Sequence, residues 1–434
     1  MNSIDTLFFE LIRVSIGTQE SLSWLPSHST GSGLTPAEWE ELFDMAVKQS
    51  LVGVCFVGLN RLGADSGDGF ARIGMSEDIY FDWMGMAAQI NMRNEQVNRQ
   101  CVELQKRLVA EGFRSSILKG QGVAALYRLH ENEDDPSASS GTNENDNCSQ
   151  DGSINPKPSS INLSGFRQSG DIDIYVDCGG EKAIEFARSV QGDVDWDYKH
   201  LHLKVFADTE VEMHYVPEVF LNLRKNRKLQ KWFRENQKMI FNENEDVNEN
   251  DPSAGSGTSL SGEMVCPSVE FNLFYILLHT YRHFLYEGVG MRQLMDWYFV
   301  LKSRNNDNDN VNDNFLSLLK SFGMMRFTKG VMWIMKDVFG LSEHLLLCAL
   351  DEKEGRFILN EVMAGGNFGH HDKRLATKTK TKTKTTAVKK ILRHNLHLLT
   401  HYPGDTLWAP VWIVYHWIWK QGFQRKLKRK RKQG

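Results

Sequence analysis

Residues 167–177 read RQSGDIDIYVD, and residues 210–215 read EVEMHY. Side chains alternate between the two faces of a β-strand, so Asp171 and Asp173 share one face while the intervening isoleucines share the other. The apolar face would bury the strand and hold the two carboxylates close together. Such closeness is tolerable only beside a cation or a positively charged neighbour. We therefore predict a divalent metal site at the start of this strand.

The second segment adds a third carboxylate. Glu212 belongs to a predicted strand whose Val211 and Met213 face the opposite way, so it can join Asp171 and Asp173 at one cation. An Asp-x-Asp pair alone is also found at solvated strand ends, which is the alternative interpretation. The part of the chain that precedes the pair favours the metal site.

That preceding part is SILKGQGVAAL, at residues 116–126. It predicts a short apolar strand, a glycine turn at Gly120 and a helix of small residues. The unpaired N–H groups at the start of such a helix, together with the charge of Lys119, suit a phosphate group. In this order of strand, glycine turn, helix and Asp-bearing strand, the sequence resembles the nucleotidyltransferases related to DNA polymerase beta.

Several motifs resemble one family of that superfamily, the uncharacterised nucleotidyltransferase family. They are ILKG at 117–120, R-x-x-GDIDIYV at 167–176, VEMHY at 211–215, HTYRHFLYEGVGMRQLMDWYFVL at 279–301 and GGNFG at 365–369. The resemblance covers most of the chain apart from its low-complexity parts. It implies a metal-dependent enzyme with Mg²⁺ as its cofactor and an NTP as its substrate.

The resemblance also implies roles for individual residues. The implied catalytic residues and metal ligands are Asp171, Asp173 and Glu212. Of these, Glu212 either joins the aspartates at a second metal or acts as a base for the acceptor. The implied cofactor-binding residues, on the phosphate side, are Lys119, Gly120, Arg167 and Gly170. The superfamily commonly has Gly-Ser at the turn, whereas Gln121 follows the glycine here, which leaves backbone N–H groups and the two cations to bind the triphosphate. A structural ion pair with an acidic residue is the alternative for the arginine.

Three histidines lie in the predicted strands around Glu212. A hairpin in residues 200–215, with a three- or five-residue loop around Ala207, would bring His200 and His202 to the side of Glu212 and His214. There His214 either orients Glu212 or touches the substrate, and a solvated or structurally hydrogen-bonded histidine is the alternative.

Two further pairs share helix faces in the C-terminal half. His279 and His283 lie four residues apart, but without a third ligand nearby a base-stacking or core role is favoured over a metal site. Arg292 and Asp296 have the same spacing and predict an ion pair worth roughly 0.3–0.5 kcal/mol if exposed.

Composition indicates a globular α+β protein of two or three domains, since 434 residues with 41% hydrophobic content can build real cores. The six cysteines show no C-x-x-C spacing, so neither a zinc site nor a disulfide framework is indicated, and a reducing cytoplasm is expected. The N-terminal MNSIDTLFFELIRV lacks a basic region followed by an apolar core, and predicts an amphipathic helix rather than a signal peptide.

Periodicity and polarity divide the chain into four parts. We expect an N-terminal helical region, a small mixed-sheet nucleotidyltransferase core with a disordered insertion, a C-terminal helical domain with low-complexity loops, and a Trp-rich segment with a basic tail. Their respective bounds are 1–112, 113–240 with the insertion at 130–160, 263–402, and 403–434. Thr35 predicts a helix start and Gly112 a helix stop. The polar runs 242–262 and 304–314 are expected to be loops, and 315–339 one helical run.

The net charge of −4 conceals an uneven distribution of charge. From Lys373 onward there are seventeen Lys or Arg residues against one acidic residue, so only this end of the chain favours an anionic partner. The Trp-rich run 407–419 is too short for a bilayer span of ~20 residues, but it could lie in a membrane interface. Docking of its tryptophans on the helical domain, with a solvated basic end, is the favoured interpretation.

The leading hypothesis is transfer of a nucleoside monophosphate from an NTP to an acceptor hydroxyl. One alternative is a catalytically weak or inactive nucleotide-binding regulatory module, because of the Gly-Gln turn. Another is a membrane-peripheral enzyme that acts on a glycan or a lipid-linked acceptor. Nucleic acid is the less favoured acceptor, because the body of the chain is acidic and no basic face with interleaved aromatics surrounds the carboxylates.

Overall fold

The computed structural model describes residues 3–23, 34–63, 73–127, 163–243, 264–304, 309–366 and 396–430. In its N-terminal part the helices are α1 (Ser3–Ser15), α2 (Pro36–Gln49), α3 (Val52–Arg61) and α4 (Glu77–Ala110). Thr35 begins α2 as predicted, because its hydroxyl accepts the N–H of Glu38 at 3.3 Å while the Glu38 carboxylate accepts the N–H of Thr35 at 2.8 Å. Gly112, with φ of 78°, follows the end of α4, also as predicted.

A four-stranded mixed sheet follows α4. Its elements, in chain order, are β1 (Ser115–Ile117), α5 (Gln121–Ala124), β2 (Ile172–Val176), α6 (Gly179–Gln191), β3 (His200–His202) and β4 (Val211–His214). The strand order is β1-β2-β4-β3, with β2 and β4 parallel and the two outer pairs antiparallel. This arrangement confirms the predicted α+β class. Residues 203–210 connect β3 to β4, so the hairpin loop is longer than predicted.

One face of the sheet is apolar and forms a core of its own. Ile172, Ile174 and Val176 of β2 pack there with Val211 and Met213 of β4, all at most 1% exposed. Residues of α6 and of the C-terminal half of α4 complete this core. The strands are therefore held from behind, and their polar side chains are left on the opposite face.

Helices build the remainder of the described chain. They are α7 (Leu223–Glu235), α8 (Gln237–Ile240), α9 (Val269–Tyr286), α10 (Met291–Lys302), α11 (Asp309–Ser321), α12 (Met325–Asp337), α13 (Glu352–Gly365), α14 (Pro403–Thr406) and α15 (Trp408–Lys430). Most of them share one hydrophobic core with α1–α3 and the first half of α4. Gln49 links these parts, because its side chain accepts the N–H of Met291 at 2.9 Å and donates to the carbonyl of Val362 at 3.2 Å. The N-terminal and C-terminal helices thus pack as one body.

The prediction of a loop at 304–314 is wrong in its second half, because α11 begins at Asp309. Buried Phe315 and Leu319 anchor this helix in the larger core, and tertiary packing overrides a polar composition. The predicted helical run 315–339 is in turn divided at Gly323, whose φ of 68° ends α11. The predicted insertions at 130–160 and 242–262 and the GGNFG motif lie wholly or largely outside the described residues.

The C-terminal helix docks on the sheet unit. Trp419 of α15 lies 4.7 Å from Tyr198 and 6.1 Å from Trp196 between ring centroids, and Phe423 lies 5.3 Å from Trp196. For Trp419 the predicted docking on the helical domain is therefore wrong, because two aromatic rings before β3 offer the better apolar surface. Within the described ranges, no helix is both long and apolar enough to cross a membrane.

Candidate active site

Asp173 and Glu212 are direct neighbours across the sheet. The register of the parallel strands β2 and β4 pairs them, and paired residues of neighbouring strands project from the same face. Glu212 therefore lies on the side of the sheet that the sequence spacing predicts. Asp171 lies just before β2 and lines the same cleft as Asp173. Glu212 does not line that cleft, because its carboxylate lies towards β3.

Asp173 is held between a lysine and a histidine. Its Oδ1 lies 3.0 Å from Lys119 Nζ and 3.0 Å from His214 Nε2. Burial disfavours the charge on Lys119, but the charges of Asp173, Glu212 and Glu218 outweigh it and raise the pKa of the lysine. Lys119 is thus a cation held in place by its ion pair with Asp173.

Glu212 contacts two histidines. Its Oε2 lies 3.3 Å from His214 Nε2 and 3.7 Å from His200 Nδ1. Burial works against the charge of Glu212, yet the hydrogen bond from His214 and the charge of Lys119 hold the pKa of the carboxyl well below its usual range. One ligand atom from each of His200, Glu212 and His214 lies within 4.8 Å of the other two, which is close enough for one metal ion.

The pKa values of the two histidines are shifted in opposite directions although the rings are neighbours. Burial opposes protonation of His214, but its hydrogen bonds to Asp173 and Glu212 prevail and raise its pKa. Burial and the neighbouring charge of His214 lower the pKa of His200 to about 4. Protonation is therefore more favourable at His214 than at His200, and the 3.3 Å contact of His214 with Glu212 agrees with one of the roles that the sequence suggests.

Asp171 has no ion-pair partner among the described residues. Partial desolvation, together with the charges of Asp173 and Glu212, raises the pKa of its carboxyl to about 6, and Lys119 offsets only part of this effect. Nearby cations thus balance the combined negative charge of Asp171 and Asp173 only in part. Both carboxylates line the cleft.

The glycine turn lies next to these carboxylates. Gly120 has φ of 60°, a backbone conformation that favours glycine, and the N–H of Leu118 binds the carbonyl of Asp173 at 2.9 Å. The helix after the turn, α5, is a single turn long, shorter than the sequence suggests. Gln121 is buried and donates to Asn98 Oδ1 at 2.5 Å, so its side chain points away from the cleft.

Arg167 forms the structural ion pair that was its alternative interpretation. Its guanidinium is 3% exposed and donates to both oxygens of Asp296, at 2.6 and 2.8 Å, while Tyr127 donates to the same carboxylate at 2.6 Å. Arg292 and Asp296, both within the described residues, do not form the expected ion pair, because the carboxylate of Asp296 pairs with Arg167 instead. Arg167 borders the cleft but has little capacity left for a phosphate.

Arg292 is a further cation at the cleft. Residue spacing in the sequence did not identify it as part of the site. Its Nη1 donates to the carbonyl of Gln168 at 2.6 Å, its buried Nε has no hydrogen-bond partner, and no carboxylate pairs with it in the described ranges. Burial and the nearby charge of Arg167 lower its pKa to about 10. A Cβ added to Gly170 would lie 3.9 Å from Arg292 Nη1, so the glycine leaves room beside the guanidinium.

These groups line one cleft between the sheet and the helices α9 and α10. Its lining residues are Lys119, Gly120, Arg167, Gly170, Asp171, Asp173, Ile276, His279, Thr280, Arg292, Gln293 and Asp296. The sheet supplies the carboxylates, and α9 and α10 supply the facing wall. His279 Nδ1 binds Glu218 at 2.8 Å, so this histidine has the structural role that the sequence favours.

Comparison with known proteins agrees with this picture. No curated protein and no solved structure matches the chain. One segment of the chain matches a family model. This segment includes Arg167, Asp171, Asp173, Glu212 and Arg292 but not Lys119 or Gly120. Residues 163–340 match the model of the uncharacterised nucleotidyltransferase family, so this part of the chain is similar to that family.

Proposed function

We propose that the protein transfers a nucleoside monophosphate from an NTP to an acceptor hydroxyl. The observation that carries the proposal is the cleft lined by both Asp171 and Asp173 and by Arg292. A triphosphate with its divalent cation has complementary needs, because its phosphates require cations and its metal requires carboxylates.

The carboxylates fit Mg²⁺ as the cofactor. Burial and the charges of Asp173 and Glu212 raise the pKa of Asp171, and Lys119 offsets only part of this effect, so a further cation would be favourable here. Hard oxygen ligands are those that Mg²⁺ takes. Asp171 and Asp173 would hold the ion, and Glu212, one strand away, would act at a second metal ion. Bound there, Mg²⁺ would neutralise charge on the triphosphate and on the leaving pyrophosphate.

The other side chains of the cleft have separate tasks. Arg292, beside Gly170, would bind the phosphates, together with backbone N–H groups at Gly120. Lys119 fixes Asp173, and Arg167 fixes α10 through Asp296 and so positions Arg292 four residues earlier. The low pKa of Glu212 favours a role as ligand over a role as general base, because a base needs a pKa near the working pH.

Removal of one carboxylate tests this proposal. Asp173→Asn should lower metal-dependent pyrophosphate release by about 10²–10³-fold or more, because the charge that faces the reacting phosphates is lost. Asp177→Asn is the matched control, since this residue lies at the far end of β2 and pairs with Arg114 instead. Circular dichroism checks that both variants fold.

Turnover in Asp173→Asn equal to that of Asp177→Asn would contradict the catalytic role of Asp173. A protein that binds NTP in a thermal-shift assay but releases no pyrophosphate with any acceptor would support the regulatory module instead. We propose a cytoplasmic location, on the cysteine spacing of the sequence alone.

A second candidate function places the enzyme at a membrane surface, with a glycan or lipid-linked acceptor. One observation favours it: α15 has an exposed apolar face. The exposed residues are Leu407 just before the helix, and Val411, Val414, Trp417 and Ile418 within it, from 46% to 64% exposed. Their spacing puts them on one side, and exposed Arg425 and Lys428 follow further along the helix. Apolar and basic groups combined in this way suit anionic lipid.

Vesicle flotation separates this candidate from the first. The full chain should float with vesicles that contain phosphatidylserine, and not with phosphatidylcholine alone. The double variant Trp417→Ser with Ile418→Ser should lose this binding, whereas Met92→Ser, which removes another exposed apolar side chain on α4, should retain it. Equal flotation of both variants would exclude α15 as the contact.

A further inference from the structure

The polar face of the sheet has a second cluster next to the aspartates, formed by β3 and β4. The antiparallel register pairs His200 with His214, and Glu212 lies two residues before His214 on the same strand. All three side chains therefore project from one face. Because two paired strands supply them, their relative positions are fixed by backbone hydrogen bonds rather than by a loop.

The distances in this cluster match a coordination shell better than a hydrogen-bond network. Zinc bonds to histidine nitrogen and carboxylate oxygen measure ~2.0–2.2 Å, which separates neighbouring ligand atoms of a tetrahedral site by about 3.4 Å. Glu212 Oε2 lies 3.3 Å from His214 Nε2 and 3.7 Å from His200 Nδ1. The second distance is too long for a hydrogen bond, yet short enough for two ligands of one ion.

An unsatisfied nitrogen gives a second, independent indication. His200 Nδ1 is buried and has no hydrogen-bond partner, although it faces a carboxylate. Buried polar atoms are normally paired, and an exception requires a cause. A metal ion between His200 and Glu212 would satisfy this nitrogen.

We propose that His200, Glu212 and His214 bind one first-row divalent transition metal such as Zn²⁺, at a site distinct from the Mg²⁺ position at Asp171 and Asp173. Two imidazole nitrogens favour such an ion over Mg²⁺, which takes oxygen ligands. Three protein ligands leave a coordination position open, as in catalytic rather than structural zinc sites.

Metal binding at this cluster would also release Asp173. Without the ion, His214 Nε2 lies between Asp173 and Glu212, at 3.0 and 3.3 Å. Coordination requires the lone pair of that nitrogen, so binding transfers its proton to solvent and breaks the hydrogen bond to Asp173. This oxygen of Asp173 then keeps Lys119 as its partner and loses the histidine.

The cluster lies on the β3 side of Asp173, whereas Gly120, which follows β1, lies on the β1 side. In an in-line displacement the acceptor approaches opposite the leaving pyrophosphate. The transition metal would therefore bind near the acceptor hydroxyl. This role rests on the proposed nucleotidyl transfer, but the binding of the metal does not.

The test measures metal binding rather than activity. The full chain is stripped with a chelator, dialysed against Zn²⁺ in the presence of excess Mg²⁺, and analysed for bound zinc by mass spectrometry and for affinity by calorimetry. Wild type should hold one Zn²⁺ per chain. His200→Ala should weaken the affinity at least 10-fold, since its side chain is 14% exposed and its loss removes a ligand.

Two further variants make the result specific. His200→Cys should restore binding, because a thiolate replaces the nitrogen ligand. His344→Ala, which removes a histidine outside the sheet, should bind as wild type does. Displacement of Zn²⁺ by excess Mg²⁺, or an affinity of His200→Ala equal to that of His344→Ala, would overturn the proposal.

The two proposals fail in different ways. A chain that binds Zn²⁺ through His200 but releases no pyrophosphate contradicts the nucleotidyl transfer and leaves the metal site intact. A chain that releases pyrophosphate with Mg²⁺ alone and takes up no zinc contradicts only the metal site.

Discussion

Two groups of buried charge meet at His279, and they are balanced in different ways. The Glu218 cluster consists of Glu218, Lys199, Arg282 and His279. Glu218 lies 2.8 Å from His279, 3.1 Å from Arg282 and 3.4 Å from Lys199, measured to their nitrogens. Burial disfavours its charge, but Arg282 and Lys199 outweigh this effect and hold its pKa well below the usual range. Every charge in this cluster has a partner.

The cleft cluster consists of Asp171, Asp173, Lys119 and Arg292, and its charges are not all paired. Asp171 and Arg292 lie in the same cleft without an ion-pair partner in the described part of the chain. Unpaired charge in a cleft costs stability, and a fold retains it where a ligand supplies the missing partner. The comparison therefore identifies the site by what is unpaired, rather than by the number of charges.

The largest expected effect is on the paired side. Arg282→Met should lower the free energy of unfolding by about 3–5 kcal/mol, because it leaves Glu218 and Glu287 short of a buried partner. Urea denaturation measures this loss. Arg292→Met, the same substitution at the unpaired arginine, should change stability by less than about 1 kcal/mol. Equal losses in the two variants would contradict the distinction between the clusters.

The second prediction concerns ligand affinity. Arg292→Met should weaken NTP binding about 10- to 100-fold, because a charged hydrogen bond is worth roughly 1.5–3 kcal/mol. Calorimetry or fluorescence titration measures the affinity. Arg93→Met, at a partly exposed arginine that pairs with Asp208, is the control and should bind NTP as wild type does. Unchanged affinity in Arg292→Met would show that the phosphates bind elsewhere.

The smallest expected effect concerns Asp171 in metal-free protein. Its folded-state pKa of about 6 lies above the ordinary 3.8, so its contribution to stability is fully present below pH 3.8 and is lost as pH rises through about 6. Asp171→Asn removes this loss. The variant should therefore gain stability relative to wild type between pH 4 and pH 6, by less than about 1 kcal/mol because solvent screens the cleft.

Thermal unfolding in a chelating buffer at four pH values between 4 and 7 checks this last prediction. Asp177 has an ion-pair partner in Arg114, so the variant Asp177→Asn should show no such gain in stability. A destabilised Asp171→Asn at pH 7 would mean that its carboxylate already has a partner, and that the cleft needs no cation there.

The polar face of the sheet could be predicted because strand periodicity is a local property. Alternation put Asp171 and Asp173 on one side, and the hairpin pattern put His200 and Glu212 on the same side; the register between β2 and β4 agrees. The caps at Thr35 and Gly112 were equally local, since each depends on a few neighbouring residues.

The choice among partners could not be predicted in this way. Arg167 and Arg292 are both arginines near acidic residues in the sequence, and only the packing of α10 against the sheet unit gives Asp296 to the first and leaves the second unpaired. The likeness of residues 279–301 to the family was the one sequence signal for Arg292. The docking of α15 on Trp196 likewise depends on contacts more than two hundred residues apart.

The amino-acid order alone established a sheet with one acidic face, the glycine bend beside it and the family to which this part of the chain is similar. Which carboxylate a buried cation neutralises, and which nitrogen is left without a partner, followed only from the packing of helices against that sheet. The reason is physical: side-chain direction follows from backbone periodicity, whereas charge pairing depends on distances and burial that distant segments create together.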